Sequence, residues 1–343
     1  MSNTYLERKF INELNAEGMI NIRGIEFARD QVLFTLDKDA YNDIFNEWLN
    51  DYKLRKLEQG RNILKLHSNQ SRFNTLKSIF ERNQIIPFIG AGLSLPTGLP
   101  LWRDFLVQVQ KESSVNQEEF FGLLNNGQFE EAAQLLDEHC ATHLQEQLDN
   151  EYGKYFRVDE INGVICRLPE FFPNSSIVTT NYDSLLKVIY ENNSKSFTHY
   201  LFDLNAIEFS RLLSSGQRVL LKLHGTHTTK TKRILTVDEY NRHYNENNTI
   251  SNCIYQLFSK SILFLGCSLS VDRTIKTLQE IVSERGSDNL ARHYAFLSLG
   301  EMSNAEKINR QEELAKANIF PIWYDDDHDE CIEALLELLV EGK

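Results

Sequence analysis

Short apolar runs alternate with amphipathic stretches along most of this chain. Strand-like runs bounded by small or polar residues lie at 85–89, 176–180, 219–223, 262–266, 294–298 and 319–323. Helical patterns lie near 183–192, 271–285, 303–317 and 328–340. Strands that alternate with helices predict right-handed crossovers, and therefore a doubly wound, mostly parallel, Rossmann-like α/β sheet.

The stretch between the first two strands is longer than a simple crossover. From Leu101 to about residue 170 it shows apolar residues at helical spacing, for example around Phe120 and Phe129. We predict a helical insertion over the cleft, within a main domain that covers residues 76–343.

Residues 1–75 form an appended segment with its own pattern. Ile20–Ile25 and Gln31–Leu36 resemble short strands, and Ala40 to Leu64 shows helical spacing. This helix carries several aromatic and apolar side chains, namely Tyr41, Phe45, Trp48, Leu49 and Tyr52. We predict an N-terminal α+β segment that either docks on the main domain or forms an oligomerisation or partner-binding arm.

The first strand of the main domain ends in a glycine turn. Gly90 and Gly92 follow Ile85–Ile89, and Ser94 comes next. Glycine has no Cβ, so the backbone can take positive φ at these positions and bring N–H groups close to a pyrophosphate. The third glycine stands at Gly98, outside the spacing of dehydrogenases, so a simple tight strand exit is the alternative.

Three later strands end in the same way, with small or polar residues. These ends are Thr179-Thr180-Asn181-Tyr182-Asp183, His224-Gly225, and Gly266-Cys267-Ser268. Ligands of open parallel sheets bind at the carboxyl ends of the strands. The four ends therefore predict one cleft, with a dinucleotide as its ligand.

In this order, the four segments resemble the sirtuin (silent information regulator) family. The resemblance covers about residues 80–325 and rests on Gly-Ala-Gly-x-Ser with Gly98-Leu99-Pro100, Thr-Asn-x-Asp, His-Gly and Gly-x-Ser. It is strongest to bacterial sirtuin-like NAD-consuming domains of antiphage defence systems. The resemblance implies that NAD⁺ is the substrate, and that these residues bind it: Gly90, Ala91, Gly92, Ser94, Thr180, Gly266 and Ser268.

Two residues are candidates for catalysis. Breaking the bond between nicotinamide and ribose creates an oxocarbenium-like centre, and the Asn181 amide could hold a ribose hydroxyl or the attacking water. The resemblance implies the same role. His224 is the candidate general base, because imidazole titrates near neutral pH; a structural histidine is the alternative. We interpret Asp183 as a helix cap.

The five cysteines exclude the zinc module of protein-deacylating sirtuins. Two Cys-x-x-Cys pairs build that module, whereas Cys140, Cys166, Cys253, Cys267 and Cys331 lie at least fourteen residues apart. We therefore expect no metal, and small buried hydrophobic roles for these thiols. Asp325-Asp326-Asp327 is interpreted as an acidic start of the last helix.

Charge and hydropathy limit the partners. Thirty-six basic and 49 acidic residues give a formal charge of −13, which argues against sequence-specific nucleic-acid binding and against anionic membranes. No apolar run approaches the roughly 18 residues of a membrane span, and the first residues are too polar for a signal peptide. We expect a cytoplasmic protein.

The sequence thus predicts an NAD⁺ glycohydrolase that releases nicotinamide and ADP-ribose in an antiphage system. The alternatives are an NAD-dependent protein deacylase and a non-catalytic NAD or ADP-ribose sensor. We expect a homo-oligomer. The chain contains no Walker-type Gly-Lys-Ser/Thr sequence, so the resemblance implies that any motor, such as a HerA-type ATPase, is a separate polypeptide.

Overall fold

The computed structural model describes residues 4–202, 208–246, 249–257, 260–269 and 273–342. The strands are β1 Ile20–Ile22, β2 Ile25–Phe27, β3 Ile85–Ile89, β4 Ile177–Thr179, β5 His199–Phe202, β6 Val219–Lys222, β7 Ser261–Leu265, β8 His293–Ser298 and β9 Ile319–Tyr324. The helices are α1 Thr4–Ala16, α2 Arg29–Leu36, α3 Lys38–Leu64, α4 Asn69–Glu81, α5 Trp102–Lys111, α6 Gln117–Asn125, α7 Phe129–Tyr152, α8 Leu168–Phe171, α9 Leu185–Asn192, α10 Phe209–Ser214, α11 Val237–Tyr240, α12 Thr249–Leu257, α13 Arg273–Arg285, α14 Asn304–Ala315 and α15 His328–Val340.

Strands β3 to β9 form one parallel sheet in the order β5-β6-β4-β3-β7-β8-β9. After β3 the chain adds β4, β5 and β6 on one side of it, with β6 between β4 and β5. It then returns and adds β7 on the other side of β3. The carboxyl ends of β3 and β7 therefore flank the point where the strand order reverses, which is where open α/β sheets bind ligands.

The sheet separates two apolar cores. Successive side chains of β3 point to opposite faces, so Ile85 and Ile89 belong to one core while Ile86 and Phe88 belong to the other. All five residues of β3 are buried. This burial on both faces explains the continuous apolar runs in the sequence.

The predicted α/β class is confirmed, and the central strands lie within a residue or two of their predicted positions. The predicted helices at 183–192, 303–317 and 328–340 correspond to α9, α14 and α15. The helix predicted at 271–285 is α13, with residues 271 and 272 outside the described ranges. Strand β5 and helix α1 were not predicted.

The predicted strand at Gln31–Leu36 is wrong, because these residues lie in helix α2. Ile20–Ile25 is likewise not one strand but the two arms of a hairpin, turned by Arg23 and Gly24 at positive φ. The long helix predicted from Ala40 to Leu64 is present as α3.

Helix α3 packs along α15 of the main domain through close backbone contact and buried polar groups. A Cβ on Gly60 would lie only 2.7 Å from the carbonyl oxygen of Ala334. The Tyr52 hydroxyl donates a 2.7 Å hydrogen bond to Glu333, which also accepts from Arg167 at 2.8 Å. This buried contact fixes the α3 backbone against the last helix.

The aromatic side chains of α3 are mostly covered within the segment itself. Tyr41 and Tyr52 are buried, and Phe10 of α1 packs on Tyr41, Phe45 and Trp48 with ring centroids 5.3–5.7 Å apart. Apolar exposure lies instead on the hairpin and α2. Ile25 is 60% exposed and Leu36 is 77% exposed.

Candidate active site

The glycine turn after β3 lies directly on the end of β7. The Gly90 N–H donates to Leu265 O and the Gly92 N–H donates to Gly266 O, both at 2.9 Å. A Cβ on Gly90 would stand 2.4 Å from Gly266 O, and one on Gly92 would stand 2.8 Å from the same atom. Neither position tolerates a side chain without movement of β7.

Gly90 and Gly92 do not adopt the positive φ that is open to glycine. Gly90 has φ −101°, and Gly92 is also absent from the residues with positive φ. Glycine is needed here because the two strand ends touch, not because the backbone is left-handed. Gly266 is the residue with positive φ, 67°, and its own Cβ would stand 2.7 Å from Leu93 N.

The other residues after β7 form the rim of this turn. Cys267 directs its thiol to the carbonyls of Phe88 and Leu265, at 3.7 and 3.6 Å, so it packs against the sheet. Ser268 is exposed, and its carbonyl accepts a 2.9 Å hydrogen bond from Arg310. Ala91 is half-buried on the opposite side of the contact.

Three side chains link the glycine turn to the end of β4. The Ser94 hydroxyl donates to Asp183 at 3.0 Å, and the Asn181 side-chain nitrogen donates to Ser94 at 3.2 Å. All three side chains belong to buried residues. Asp183 also accepts from Leu185 N at 3.0 Å, which is the helix-capping contact expected of it.

This network fixes the orientation of the Asn181 amide. Ser94 has one proton and gives it to Asp183, so its oxygen must accept from the Asn181 N–H₂ group. The Asn181 side-chain oxygen receives no hydrogen bond from the described residues. An amide oxygen placed at a strand end can therefore accept from a ribose hydroxyl or a water.

Two further groups hold the backbone of this segment. Thr179 donates to Ile89 O at 2.7 Å and accepts from Asn181 N at 3.0 Å, while Thr180 beside it is half-buried. Lys222, at the end of β6, donates to Tyr182 O at 2.7 Å and to Asp183 O at 2.8 Å. Burial lowers the pKa of Lys222 to about 8.

His224 lies two residues after β6 and is enclosed by two tyrosines. Its Nε2 is 3.0 Å from the Tyr244 hydroxyl, and its Nδ1 is 3.3 Å from the Tyr240 hydroxyl. Burial lowers the pKa of His224 to about 3. The imidazole is therefore neutral at physiological pH, and its environment must become more polar before it is an effective general base, whose pKa should lie near the working pH.

The chain turns sharply after His224 and returns beside it. Gly225 has φ 77°, and a Cβ there would stand 1.9 Å from Lys232 O. Ile234 N donates to His224 O at 2.9 Å. The neighbouring Arg233 is buried and bonds to Asp137 and Gln145 of α7, both at 2.7 Å, so the returning loop is tied to the predicted helical insertion.

The structure brings most of the predicted site residues to one edge of the sheet. Hydrogen bonds join the turn of Gly90, Gly92 and Ser94 to Gly266 on one side and to Asn181 on the other. His224 ends the strand next to that of Asn181. Tyr240 and Tyr244 were not among the predicted site residues, and Asp183 was predicted only as a helix cap.

The described residues contain no group of three or more His, Cys, Asp or Glu side chains that could hold a metal. Asp327 accepts from Glu330 N at 2.9 Å, so this aspartate caps α15 as interpreted. An open cleft of about 500 Å³ lies elsewhere, between α3 and the loop after β9. It shares no residue with the strand-end site. In the described part of the chain, no helix is long and apolar enough to cross a membrane.

Comparison with known proteins agrees with this geometry. Residues 175–322 match the family model of the SIR2-like domain. This part of the chain is similar to the SIR2-like domain. The matched range includes Asn181, His224 and Gly266, and it begins after the glycine turn.

Three curated relatives of this chain are each named NAD(+) hydrolase ThsA. The protein of Acinetobacter baumannii is 24% identical over 249 residues, which is 72% of this chain and 47% of the relative. That of Cytobacillus dafuensis is 24% identical over 69% of this chain and 44% of the relative. That of Bacillus cereus is 22% identical over 66% and 45%. The chain therefore spans less than half the length of the curated relatives it matches.

Proposed function

We propose that this protein is an NAD⁺ glycohydrolase that cleaves NAD⁺ to nicotinamide and ADP-ribose. The observation that carries the proposal is the Ser94–Asn181–Asp183 network, which places an oriented amide beside the glycine turn. Relatives named NAD(+) hydrolase support the same reaction.

In this reaction the bond between the nicotinamide nitrogen and the ribose anomeric carbon breaks, and its electron pair leaves with neutral nicotinamide. The anomeric carbon is left as an oxocarbenium-like centre. Water then adds its oxygen to that carbon and loses one proton. Asn181 is the catalytic residue that holds the ribose hydroxyl or the water through its side-chain oxygen. Because the reacting groups are held in place, the attack proceeds as if they belonged to one molecule.

His224 is proposed to take the released proton, either from water or from a ribose hydroxyl. Its buried neutral imidazole has one nitrogen free of a proton and can accept one. General base catalysis of this kind contributes about 10²–10⁴-fold in rate. The enclosing tyrosines must make room for the substrate before this step.

The glycine turn is proposed to receive the dinucleotide. Gly90, Ala91, Gly92 and Ser94 surround the pyrophosphate position, Thr180 adjoins the nicotinamide ribose, and Gly266 and Ser268 adjoin the adenosine ribose and phosphate. The contact of Gly90 with Gly266 joins these two halves into one surface. The N–H groups of Gly90 and Gly92 already donate to the end of β7, so the ligand would lie on the surface that this contact forms.

Two other functions use the same surface. A protein deacylase would also need a channel for acyl-lysine, and a sensor would bind nucleotide without cleaving it. The wide spacing of the five cysteines disfavours the deacylase, because deacylating sirtuins carry the four-cysteine module. The oriented Asn181 amide and the neutral His224 disfavour the sensor, since mere binding needs neither.

The biological setting is proposed on the sequence resemblance. The chain would act in the cytoplasm as an effector of antiphage defence, without sequence-specific nucleic-acid binding, and with any HerA-type ATPase on a separate polypeptide. We also infer a homo-oligomer, with residues 1–75 contributing the exposed apolar side chains of the hairpin and α2, such as Ile25 and Leu36. Light scattering tests the assembly: a monomeric mass would contradict it.

The enzymatic proposal is tested by measuring nicotinamide release from NAD⁺ by the protein purified from its native operon. Asn181→Ala and His224→Ala should each lower the rate at least about 100-fold while the chain stays folded. Asn192→Ala, at the exposed end of α9, is the matched control. An acetylated peptide that is deacetylated faster than NAD⁺ alone is hydrolysed would favour the deacylase. Tight NAD⁺ binding without release under every condition would favour the sensor.

A further inference from the structure

The two proposed catalytic side chains are covered by protein. His224 is 9% exposed and Asn181 is 8% exposed. NAD⁺ has to contact both groups in the proposed reaction, so the structure must open locally before the substrate can bind. The side chains that cover His224 therefore control access to it.

Tyr240 and Arg273 cover His224 as two successive layers. The Tyr240 ring stands edge-on to the imidazole, with the ring centroids 5.1 Å apart. The Arg273 guanidinium lies 5.4 Å from the centre of the same tyrosine ring, which is the distance of a cation–π contact. His224 is buried, whereas the two covering residues are half-buried. A ligand that approaches His224 from this side meets these two layers first.

Arg273 is fastened by two other segments of the chain. Its Nε donates to Glu130 of α7 at 2.8 Å, and its Nη1 donates to the Asn241 side-chain oxygen at 2.7 Å. Asn241 directly follows Tyr240 and begins a π-helical turn, Asn241–Glu246. Such turns are rare and occur frequently at functional sites. The two bonds tie the turn beside Tyr240 to α13 and α7.

The neighbours of Tyr240 limit how this cover can open. Glu239 is 3% exposed and accepts from Leu235 N at 2.8 Å, and Tyr244 is also 3% exposed. Both residues anchor the segment on either side of Tyr240. Opening therefore requires rotation of the Tyr240 side chain, not departure of the whole segment. The Arg273 guanidinium packs on this ring and opposes the rotation.

We propose that Arg273 is a latch that keeps Tyr240 closed over His224, and that release of its bonds to Glu130 and Asn241 opens the site. This inference rests on the proposed NAD⁺ hydrolysis. Only molecules with the cover open can bind the substrate, so the latch lowers the apparent affinity in proportion to the open fraction. Any contact that releases Arg273 would raise the activity without changing a catalytic group.

Substitutions in the two partners of Arg273 should change the open fraction in opposite directions. Asn241→Leu removes an acceptor and Glu130→Gln removes a charge, so both should raise the open fraction by about two- to tenfold. Asn241→Asp keeps the oxygen and adds a negative charge, so it should lower the open fraction by about two- to fivefold. Glu131→Gln is the matched control, because Glu131 is the exposed neighbour on α7.

Chemical labelling of His224 measures the open fraction without any dependence on activity. Diethyl pyrocarbonate acylates accessible, unprotonated imidazoles, and trypsin releases residues 223–230 as one peptide that contains both His224 and His227. The rate at His224, measured by tandem mass spectrometry, should follow the open fraction. The rate at His227, which bonds to Asp149 at 2.6 Å, should be the same in every variant. Unfolding would raise both rates together.

The kcat/KM for NAD⁺ should change in the same direction as the labelling of His224. The proposal is overturned if Asn241→Asp and Asn241→Leu change the His224 rate in the same direction, or if neither changes it. If the unsubstituted protein releases no nicotinamide, the proposed hydrolysis fails, and the labelling of His224 still decides whether Arg273 holds the cover closed.

Discussion

The Asn181 side-chain nitrogen lies 3.2 Å from the Ser94 hydroxyl, although 87 positions separate the two residues in the chain. Ser94 belongs to the glycine turn, and Asn181 follows the neighbouring strand. The proposed phosphate-binding turn therefore also sets the direction of the proposed catalytic amide. In the proposed mechanism, binding and catalysis share the Ser94 hydroxyl group.

Ser94→Ala should reduce nicotinamide release by about tenfold or more, because the Asn181 amide loses the acceptor that orients it. Asp183 still caps α9 through Leu185 N, so folding should be retained. Steady-state kinetics and circular dichroism check both statements. Ser71→Ala, on the exposed face of α4, provides the control. Parental kcat in a folded Ser94→Ala protein would remove this hydroxyl from the mechanism.

Substitutions in the glycine turn should damage the fold as well as NAD⁺ binding. A Cβ at Gly90 meets Gly266 O at 2.4 Å, so Gly90→Ala already forces the two strand ends apart, and Gly90→Val and Gly92→Val should do so more strongly. We expect a lower melting temperature together with weaker NAD⁺ binding by calorimetry. Gly122→Ala is the matched control, because a Cβ there has open space on helix α6.

Stability should fall as the pH is lowered from about 6.5 towards 3. Burial lowers the pKa of His224 and of His293 to about 3, so the unfolded chain binds these two protons first. Each histidine contributes a loss of about 1.4 kcal/mol per pH unit in this window. Asp329 opposes the trend, since burial raises the pKa of its carboxyl to about 6.

Urea unfolding at pH 7.5, 6, 5 and 4 measures this dependence. His224→Asn and His293→Gln should each make the fall in unfolding free energy less steep, because one titrating group is removed. A free energy of unfolding that stays constant from pH 7.5 to 4 would contradict burial of both imidazoles.

Gly60→Leu should separate α3 from α15, because its side chain would have to occupy the space of the Ala334 carbonyl. We expect a destabilisation of several kcal/mol, in the range of overpacked cores. Half-buried Gln59→Leu is not a suitable control because Gln59 contacts Cys331, whereas exposed Glu58→Leu introduces the same side chain two positions away. Thermal unfolding of the two variants decides the matter, and equal melting temperatures would contradict close packing at Gly60.

Added chelator should leave both the fold and nicotinamide release unchanged. The expectation rests on the cysteine spacing, which cannot form the tetrahedral four-thiolate site of structural zinc, and on a C–N cleavage that requires no Lewis acid. Elemental analysis of the purified protein, with activity measured before and after chelation, is the test. Stoichiometric zinc whose removal stops the reaction would revive the deacylase alternative.

Much of the sheet could be predicted from the sequence because its central strands are buried on both faces. A strand that is buried on both faces has apolar residues at nearly every position, as at Ile85–Ile89 and Ser261–Leu265. Residues at the ends of these runs, among them Asn181 and His224, could then be placed at one edge. Their catalytic roles stay predictions.

Peripheral elements carried weaker signals. Strand β5 lies at the edge of the sheet with only Leu201 buried, and α2 has no buried residue at all. The Val-Leu-Phe run of α2 suggested a strand because nothing in its pattern required a helix. Tyr240 and Tyr244 were missed for another reason. Their contact with His224 depends on the sharp turn at Gly225, and the hydrophobic pattern of a sequence does not show which segments such a turn brings together.

The contact between Gly90 and Gly266 has a consequence for synthesis of the protein. Strand β7 is translated long after the glycine turn that it supports, because β4, β5, β6 and the helices around them lie between the two in the chain. An incomplete chain that stops before β7 therefore lacks the strand that supports the proposed nucleotide site. The proposed cleavage of NAD⁺ is therefore expected only after β7 has been translated.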